Sequence, residues 1–237
     1  MKRGRRVLVV GATGRLGGAI ARALGDRGDR VVLTGRDPVG LEALAAETKS
    51  PDTEGARFVR ADLLDEDAPK TIVDGIRRTV GGVDDVVLAC GPFPRTPLET
   101  LERDDLWRSL AVHAVAPLLL VRALAEDLAA AQGAIVALTD AGVTRPYTNH
   151  VAYLTAKGAL QAGLRALAVE LAPEVRVNMV ALGIVADPDV DSDPLRMHRL
   201  ATRSPLGRFG TPEEVVHVVL GLLDSTWATG EIWGVGR

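Results

Sequence analysis

The apolar run Val7–Val10, the glycine-rich turn Gly11-Ala12-Thr13-Gly14-Arg15-Leu16-Gly17-Gly18 and the helical stretch after it constrain this chain most. An apolar run without alternation is expected of a strand buried on both faces of a parallel sheet. Strand, turn and helix in that order build an anion site: glycines admit close backbone approach, and the helix start offers free N–H groups and positive potential. Such a turn can also close without a ligand, but matching flanks on both sides favour a dinucleotide phosphate site.

The alternation continues. Val31–Thr34 reads as a second strand, 40–49 as helix, Arg57–Ala61 as a third strand, 66–80 as helix and Val83–Cys90 as a fourth strand. A proline-rich loop, GPFPRTPLET, precedes a long helical pattern over 103–130, where Pro117 predicts a kink. Ala134–Thr139 is the fifth strand, stopping at Asp140. Helix 151–172 and strand Val175–Ala181 follow, then a turn through 182–185. Residues 186–205, polar with prolines at 188, 194 and 205, read as a mobile substrate lid. Helix 212–224 and a short strand near 229–235 close the chain. Strands alternating with helices, without repeat or linker, predict one α/β domain over 1–237 built on a doubly wound parallel sheet.

Composition narrows the function classes. A net charge of −3 supplies no basic field for nucleic acid or an anionic membrane. The lone Cys90 allows no internal disulfide and fits a reducing cytosol. The apolar run after MKRGRR is too short for a signal peptide, and no apolar run approaches the roughly 20 residues of a membrane span. A soluble, cytoplasmic chain is expected, with a small-molecule substrate and no metal site.

Tyr153 and Lys157 lie four positions apart on the helix 151–172, hence on one face. An ammonium beside a phenol favours the phenolate and is expected to lower the tyrosine pKa, giving an acid/base group usable near neutral pH. Asp140, thirteen positions upstream, points into the same sheet edge. Arg36, first after Gly35 at the end of the second strand, suits a 2′-phosphate and so favours NADP; the alternative is a ribose hydroxyl on Asp37 with Arg36 solvated. Phe93, in the proline-rich loop, is either a stacking platform for a flat ligand or a loop anchor.

With Gly11 and Gly17 in the first turn, Asp62-Leu63, Tyr153-x-x-x-Lys157 and the turn at Gly183 in this order, the chain resembles the short-chain dehydrogenase/reductase family along nearly its whole length. The resemblance implies a seven-stranded Rossmann sheet, a nicotinamide cofactor, Tyr153 as acid/base, and Lys157 on the nicotinamide ribose. It also implies cofactor contacts from Thr13, Arg15, Leu16, Arg36, Asp62, Leu63, Ala89, Cys90, Gly91, Gly183 and Val185. Members commonly form tetramers through two long helices, so a homotetramer or homodimer is expected. The small residues Ala156, Gly158, Ala159, Ala162, Gly163 and Ala166 would allow close helix approach, within one subunit or between two.

Departures from the family pattern mark a branch. Asp140 stands where most members have serine, and Arg15 replaces a glycine of the turn. Both features, with Phe93 and the segment YLTAKGAL, are similar to the pteridine reductase branch, which implies substrate contacts from Arg15, Phe93, Asp140 and Tyr153. The family's N-N-A-G appears as Leu88-Ala89-Cys90-Gly91, and its helix asparagine as His113, either a holder of a relay water or a core histidine. The leading expectation is therefore an NADPH-dependent reductase of a pterin-like C=N bond. The alternatives are a carbonyl reductase for a 3-oxoacyl thioester or sugar ketone, and an NADP-binding regulator with impaired turnover.

Overall fold

In the computed structural model, which describes residues 4–186 and 194–236, seven parallel strands form one sheet. The strands are β1 (Arg6–Val10), β2 (Arg30–Gly35), β3 (Arg57–Arg60), β4 (Asp85–Leu88), β5 (Ala134–Asp140), β6 (Arg176–Leu182) and β7 (Ile232–Val235). Their order is β3-β2-β1-β4-β5-β6-β7, so the winding reverses between β1 and β4. That reversal opens a crevice at the carboxyl ends of the strands, the position where this architecture binds ligands.

Strand periodicity divides the core into two layers. Val7 and Val9 of β1 belong to one apolar cluster, with Ile20 and Leu24 of α1 (Arg15–Arg27), Leu41 of α2 (Pro38–Glu47) and Val215 and Val219 of α8 (Pro212–Asp224). Leu8 and Val10 belong to the other, with Ile72 and Ile76 of α3 (Ala68–Val80), Leu120 and Leu124 of α5 (Ala116–Ala130) and Leu160 and Leu164 of α6 (Val151–Glu170). Successive side chains of a strand point to opposite faces, so a run apolar at every position must be covered on both. Each fully buried Leu, Ile or Val contributes about 1.5–3 kcal/mol of hydrophobic free energy.

The helical pattern over 103–130 departs from expectation at its centre. α4 (Arg103–Leu110) passes into a π-helical turn, Ala111–Val115, before α5 begins, and Pro117 is the second residue of α5. The Ala116 N–H bonds to the Ala111 carbonyl, five residues back. A proline cannot donate to the carbonyl four residues back and its ring crowds that carbonyl. The widened turn absorbs the conflict ahead of the proline, where a simple kink at Pro117 was expected. The whole stretch is long and apolar enough to cross a bilayer by length and composition, although no run that long was expected. Leu120, Val121, Leu124 and Leu128 on it are nevertheless fully buried in the core.

Within the segment read as a lid, the structure has α7 (Pro194–Ala201), and residues 187–193 lie outside those described.

Candidate active site

A cleft of about 460 Å³ runs along the carboxyl ends of β1, β2 and β4, within the range of small-molecule and cofactor sites. Gly11, Thr13, Gly14, Arg36, Asp62 and Leu63 line its outer part; Ala89, Cys90, Gly91 and His113 form its inner end. Gly14 precedes α1 in an extended conformation without a side-chain cap, so the first N–H groups of α1 have no protein side chain over them. Gly17 packs on the Gly11 carbonyl, where an added Cβ would lie 2.2 Å from the oxygen. Leu16 packs against the core behind the turn. Arg15 spans to the far side, its guanidinium donating to the Val185 carbonyl at 3.3 Å. Gly183 ends β6 against the chain's closing residues, its N–H on the Val235 carbonyl at 2.7 Å.

Asp62 in the cleft and Asp37, next to the cleft residue Arg36, each accept a backbone N–H. Asp37 caps α2, accepting from the Val39 N–H at 3.1 Å, and Asp62 Oδ1 accepts from the Leu64 N–H at 3.1 Å. Arg36 lines the cleft at this corner, next to the Asp37 cap.

Behind the inner end, β5 and α6 bring the expected acid/base residues together. Tyr153, Lys157 and Gln161 recur every four residues along α6 and meet consecutive residues of β5. The Tyr153 hydroxyl donates to Asp140 Oδ2 at 3.0 Å, Lys157 Nζ to the Leu138 carbonyl at 3.1 Å, and Gln161 Nε2 to Thr139 Oγ1 at 3.1 Å. Asp140 is held where the strand ends because its Oδ1 also accepts from the Gly142 N–H at 2.6 Å. Asp140, Tyr153 and Lys157 are not in the cleft wall itself. They meet it through His113, whose ring stands edge-on to Tyr153 with centroids 5.1 Å apart.

The electrostatics reverse one expectation. Burial first, and the Asp140 carboxylate second, push the Tyr153 phenol far above its ordinary value. Lys157 does not offset this: its Nζ is drawn to a backbone carbonyl and lies 5.8 Å from the tyrosine ring centroid. Burial lowers the Lys157 ammonium pKa, and raises that of the neighbouring Cys90 thiol. The expected lowering of the tyrosine pKa is therefore absent, since removal from water disfavours each charged form.

His113 sits in the π turn with 1% exposure. Its Nε2 bonds to the Pro92 carbonyl at 2.9 Å, while Nδ1 has no hydrogen-bond partner among the described residues. Burial, then Lys157, lowers its pKa to about 4, so the ring is neutral. The ring fills the space over Gly91, where an added Cβ would lie 2.0 Å from Cε1, and Gly91 itself has φ +110°. The bond to Pro92 ties the loop carrying Phe93 to the helix.

Phe93 is not a core anchor, and one face of its ring is taken by His150. It is 57% exposed, stacks on His150 at 4.1 Å and 17°, and stands edge-on to Tyr153 at 4.8 Å and 90°. His150 is held in turn by Nδ1 on the Pro94 carbonyl at 2.7 Å. Sequence reasoning missed His150 and Tyr147. The available signal was scarcity: the chain has two tyrosines and four histidines, and the second tyrosine lies six residues before Tyr153. Among the described residues no cluster of His, Cys, Asp or Glu could hold a metal.

The glycine turn, the uncapped helix start and the cleft fit a nicotinamide dinucleotide, and Tyr153, Lys157 and Asp140 gather behind His113 at its inner end. The fold and site define an NAD(P)-dependent oxidoreductase. A family model described as Enoyl-(Acyl carrier protein) reductase matches residues 11–236, and the chain belongs to the short-chain dehydrogenase/reductase family. It is 34% identical to L-xylulose reductase of Bos taurus, with 96% of this chain and 93% of that protein covered. It is 32% identical to D-erythrulose reductase of Gallus gallus, with 96% and 92% covered. An L-sorbose reductase from Gluconobacter frateurii, crystallised with NADPH and L-sorbose, has the same fold, with a TM-score of 0.89 at 23% identity over 98% of this chain and 95% of that one. These relatives are carbonyl and sugar reductases, and none points to the pteridine reductase branch. They match the carbonyl alternative better than the pterin expectation drawn from Asp140, Arg15 and Phe93.

Proposed function

We propose that this protein is an NADPH-dependent carbonyl reductase acting on a small polyhydroxylated ketone of the ketose type. The observation that carries the reading is the Tyr153 hydroxyl held on Asp140 at 3.0 Å, beside the inner end of the dinucleotide cleft. When bound, NADPH supplies the hydride for the carbonyl carbon. The Tyr153 O–H bond breaks as its proton passes to the carbonyl oxygen, leaving a phenolate whose ring centre lies 5.8 Å from Lys157 Nζ. Lys157 holds the nicotinamide ribose with the donors that Leu138 does not take.

Asp140 gives the substrate preference its physical basis. A serine at this position would donate to the carbonyl, but an ionised carboxylate only accepts. It therefore favours a substrate bringing its own donor, and a ketose has hydroxyls on the carbons beside its carbonyl. Relatives named for L-xylulose and D-erythrulose act on such ketones.

The cofactor preference follows from Arg36 at the cleft corner, with Asp37 engaged as a helix cap. Arg15 braces the phosphate turn against the Val185 carbonyl in the turn that follows β6. His113 and Phe93 shape the pocket around the tyrosine. Of the small α6 residues, Gly163 packs on Leu118 within the subunit, while Ala162 and Ala166 face outward and contribute to a homo-oligomer. The enzyme works in the cytoplasm, and light scattering tests the assembly.

A pterin remains the second reading, favoured by the exposed Phe93 ring beside Tyr153 and by the acceptor Asp140, which suits a ring N–H. The test is NADPH oxidation with L-xylulose, erythrulose and sorbose beside an acetoacetyl thioester and dihydrobiopterin, with Tyr153→Phe as control. Ketose turnover lost in the control supports the proposal. Turnover of dihydrobiopterin alone transfers the assignment to the pterin. Tight NADPH binding without turnover of any substrate favours the regulator.

A further inference from the structure

Both tyrosines of the chain converge on one oxygen. Asp140 Oδ2 accepts from the Tyr147 hydroxyl at 3.0 Å and from the Tyr153 hydroxyl at 3.0 Å, while Oδ1 accepts from the Gly142 N–H. Tyr147 comes from the loop before α6, outside the Tyr153–Lys157 motif. Its place is prepared on three sides. A Cβ at Gly142 would lie 2.3 Å from Tyr147 Cε1, so the glycine leaves room for the ring. His150 stands edge-on to it at 5.4 Å and Phe93 packs at 6.0 Å.

We propose that Tyr147 is a positioning residue for catalysis, which shares the Asp140 oxygen with Tyr153 and keeps a donor on it when Tyr153 turns to the substrate. Without Tyr147 the whole acceptor strength of Oδ2 would face Tyr153, and a phenol held by an otherwise unshared carboxylate parts from its proton less readily. Once that proton has gone to the substrate, a phenolate and a carboxylate face each other, and like charges at that distance repel. The Tyr147 O–H then remains as the donor that screens Oδ2 from the phenolate. Tyr147 loses no proton in this step: one O–H bond breaks, on Tyr153, and one forms, on the substrate oxygen. Burial and then Asp140 push the Tyr147 phenol upward, consistent with a group that stays protonated throughout.

The inference rests on Tyr153 as the proton donor, as proposed above, and not on which carbonyl is reduced. Tyr147→Phe keeps the ring and removes the hydroxyl. It should lower kcat for reduction about tenfold, the scale of one hydrogen bond to a charged group, with the KM for NADPH unchanged. In an Asp140→Ser background the same substitution should cost nothing, because the shared oxygen is gone. An equal loss in both backgrounds, or none in the wild type, overturns the proposal. A second measurement needs no substrate. In Tyr153→Phe the chain has one tyrosine, so the tyrosinate absorbance reports Tyr147 alone. It should ionise well above the free value of about 10 and return toward it in Tyr153→Phe/Asp140→Asn. Ionisation near 10 with Asp140 intact overturns the Tyr147–Asp140 contact. Failure of every carbonyl substrate leaves that titration readable and counts against the proposed function alone.

Discussion

In the proposed reaction Tyr153 carries two opposing demands, and its surroundings favour one of them. Reduction needs a protonated phenol and oxidation of the alcohol needs a phenolate. Burial and Asp140 favour the protonated form, so reduction should hold its rate through alkaline pH while oxidation stays slow until the pH is high. In Asp140→Ser, which removes the negative charge, the alkaline limb of kcat/KM for alcohol oxidation should move down by at least one pH unit; an unmoved limb would show that Asp140 does not control the phenol. His113 adds a stability effect whose sign follows from its depressed pKa. The unfolded chain binds a proton near pH 6.5 and the folded ring only near 4, so stability is complete above about 6.5 and declines as the pH falls towards 4. Its slope in that window is up to about 1.4 kcal/mol per pH unit. His113→Asn should flatten the acid side of a chemical-denaturation pH series. Residue types and spacing made Tyr153, Lys157 and Asp140 visible as a group. Their electrostatics were not visible, because whether Lys157 tunes the phenol depends on which acceptor its Nζ reaches, and that acceptor is the backbone of β5.

Among the elements, the strands and most helices could be read from the chain because each apolar run answers to a face that must be covered. The run Val7–Val10 divides evenly between the two core layers, and α8 has the bounds its pattern suggested. The π turn was harder to read. Proline signals an irregularity, but whether the helix bends at the proline or widens before it depends on what the displaced turn packs against, here the Gly91 backbone and the Pro92 carbonyl. Pro117→Ala restores the missing N–H and relieves the crowding, allowing Ala111–Val115 to relax into α geometry. Activity should then fall several-fold as His113 leaves Pro92, with stability changed by no more than about 1 kcal/mol. Steady-state kinetics beside a thermal melt checks this, and an unchanged kcat would mean that proline does not hold the π turn.

For the whole molecule, the reversal of strand order between β1 and β4 puts the cofactor cleft across the centre of the sheet, between its two halves. A ligand there should brace the fold as well as react: NADPH at a hundred times its Kd should stabilise by about 2.7 kcal/mol, read as a rise in Tm. Arg36→Ala should lose most of the extra rise that NADPH gives over NADH, and an equal rise with both cofactors in the wild type would remove Arg36 from the 2′-phosphate. The substrate was the least legible feature, because Asp140 and Phe93 are compatible with either a ring nitrogen or a hydroxylated ketone, and Tyr147 and His150 reach Asp140 and Phe93 from outside any helical or strand repeat. The contact between Gly91 and His113 has a consequence for anyone redesigning this enzyme. Because the His113 ring occupies the volume that Gly91 leaves vacant and Gly91 holds φ +110°, position 91 cannot be enlarged alone whereas 113 can be trimmed alone, so a mutant library should open 113 before it varies 91.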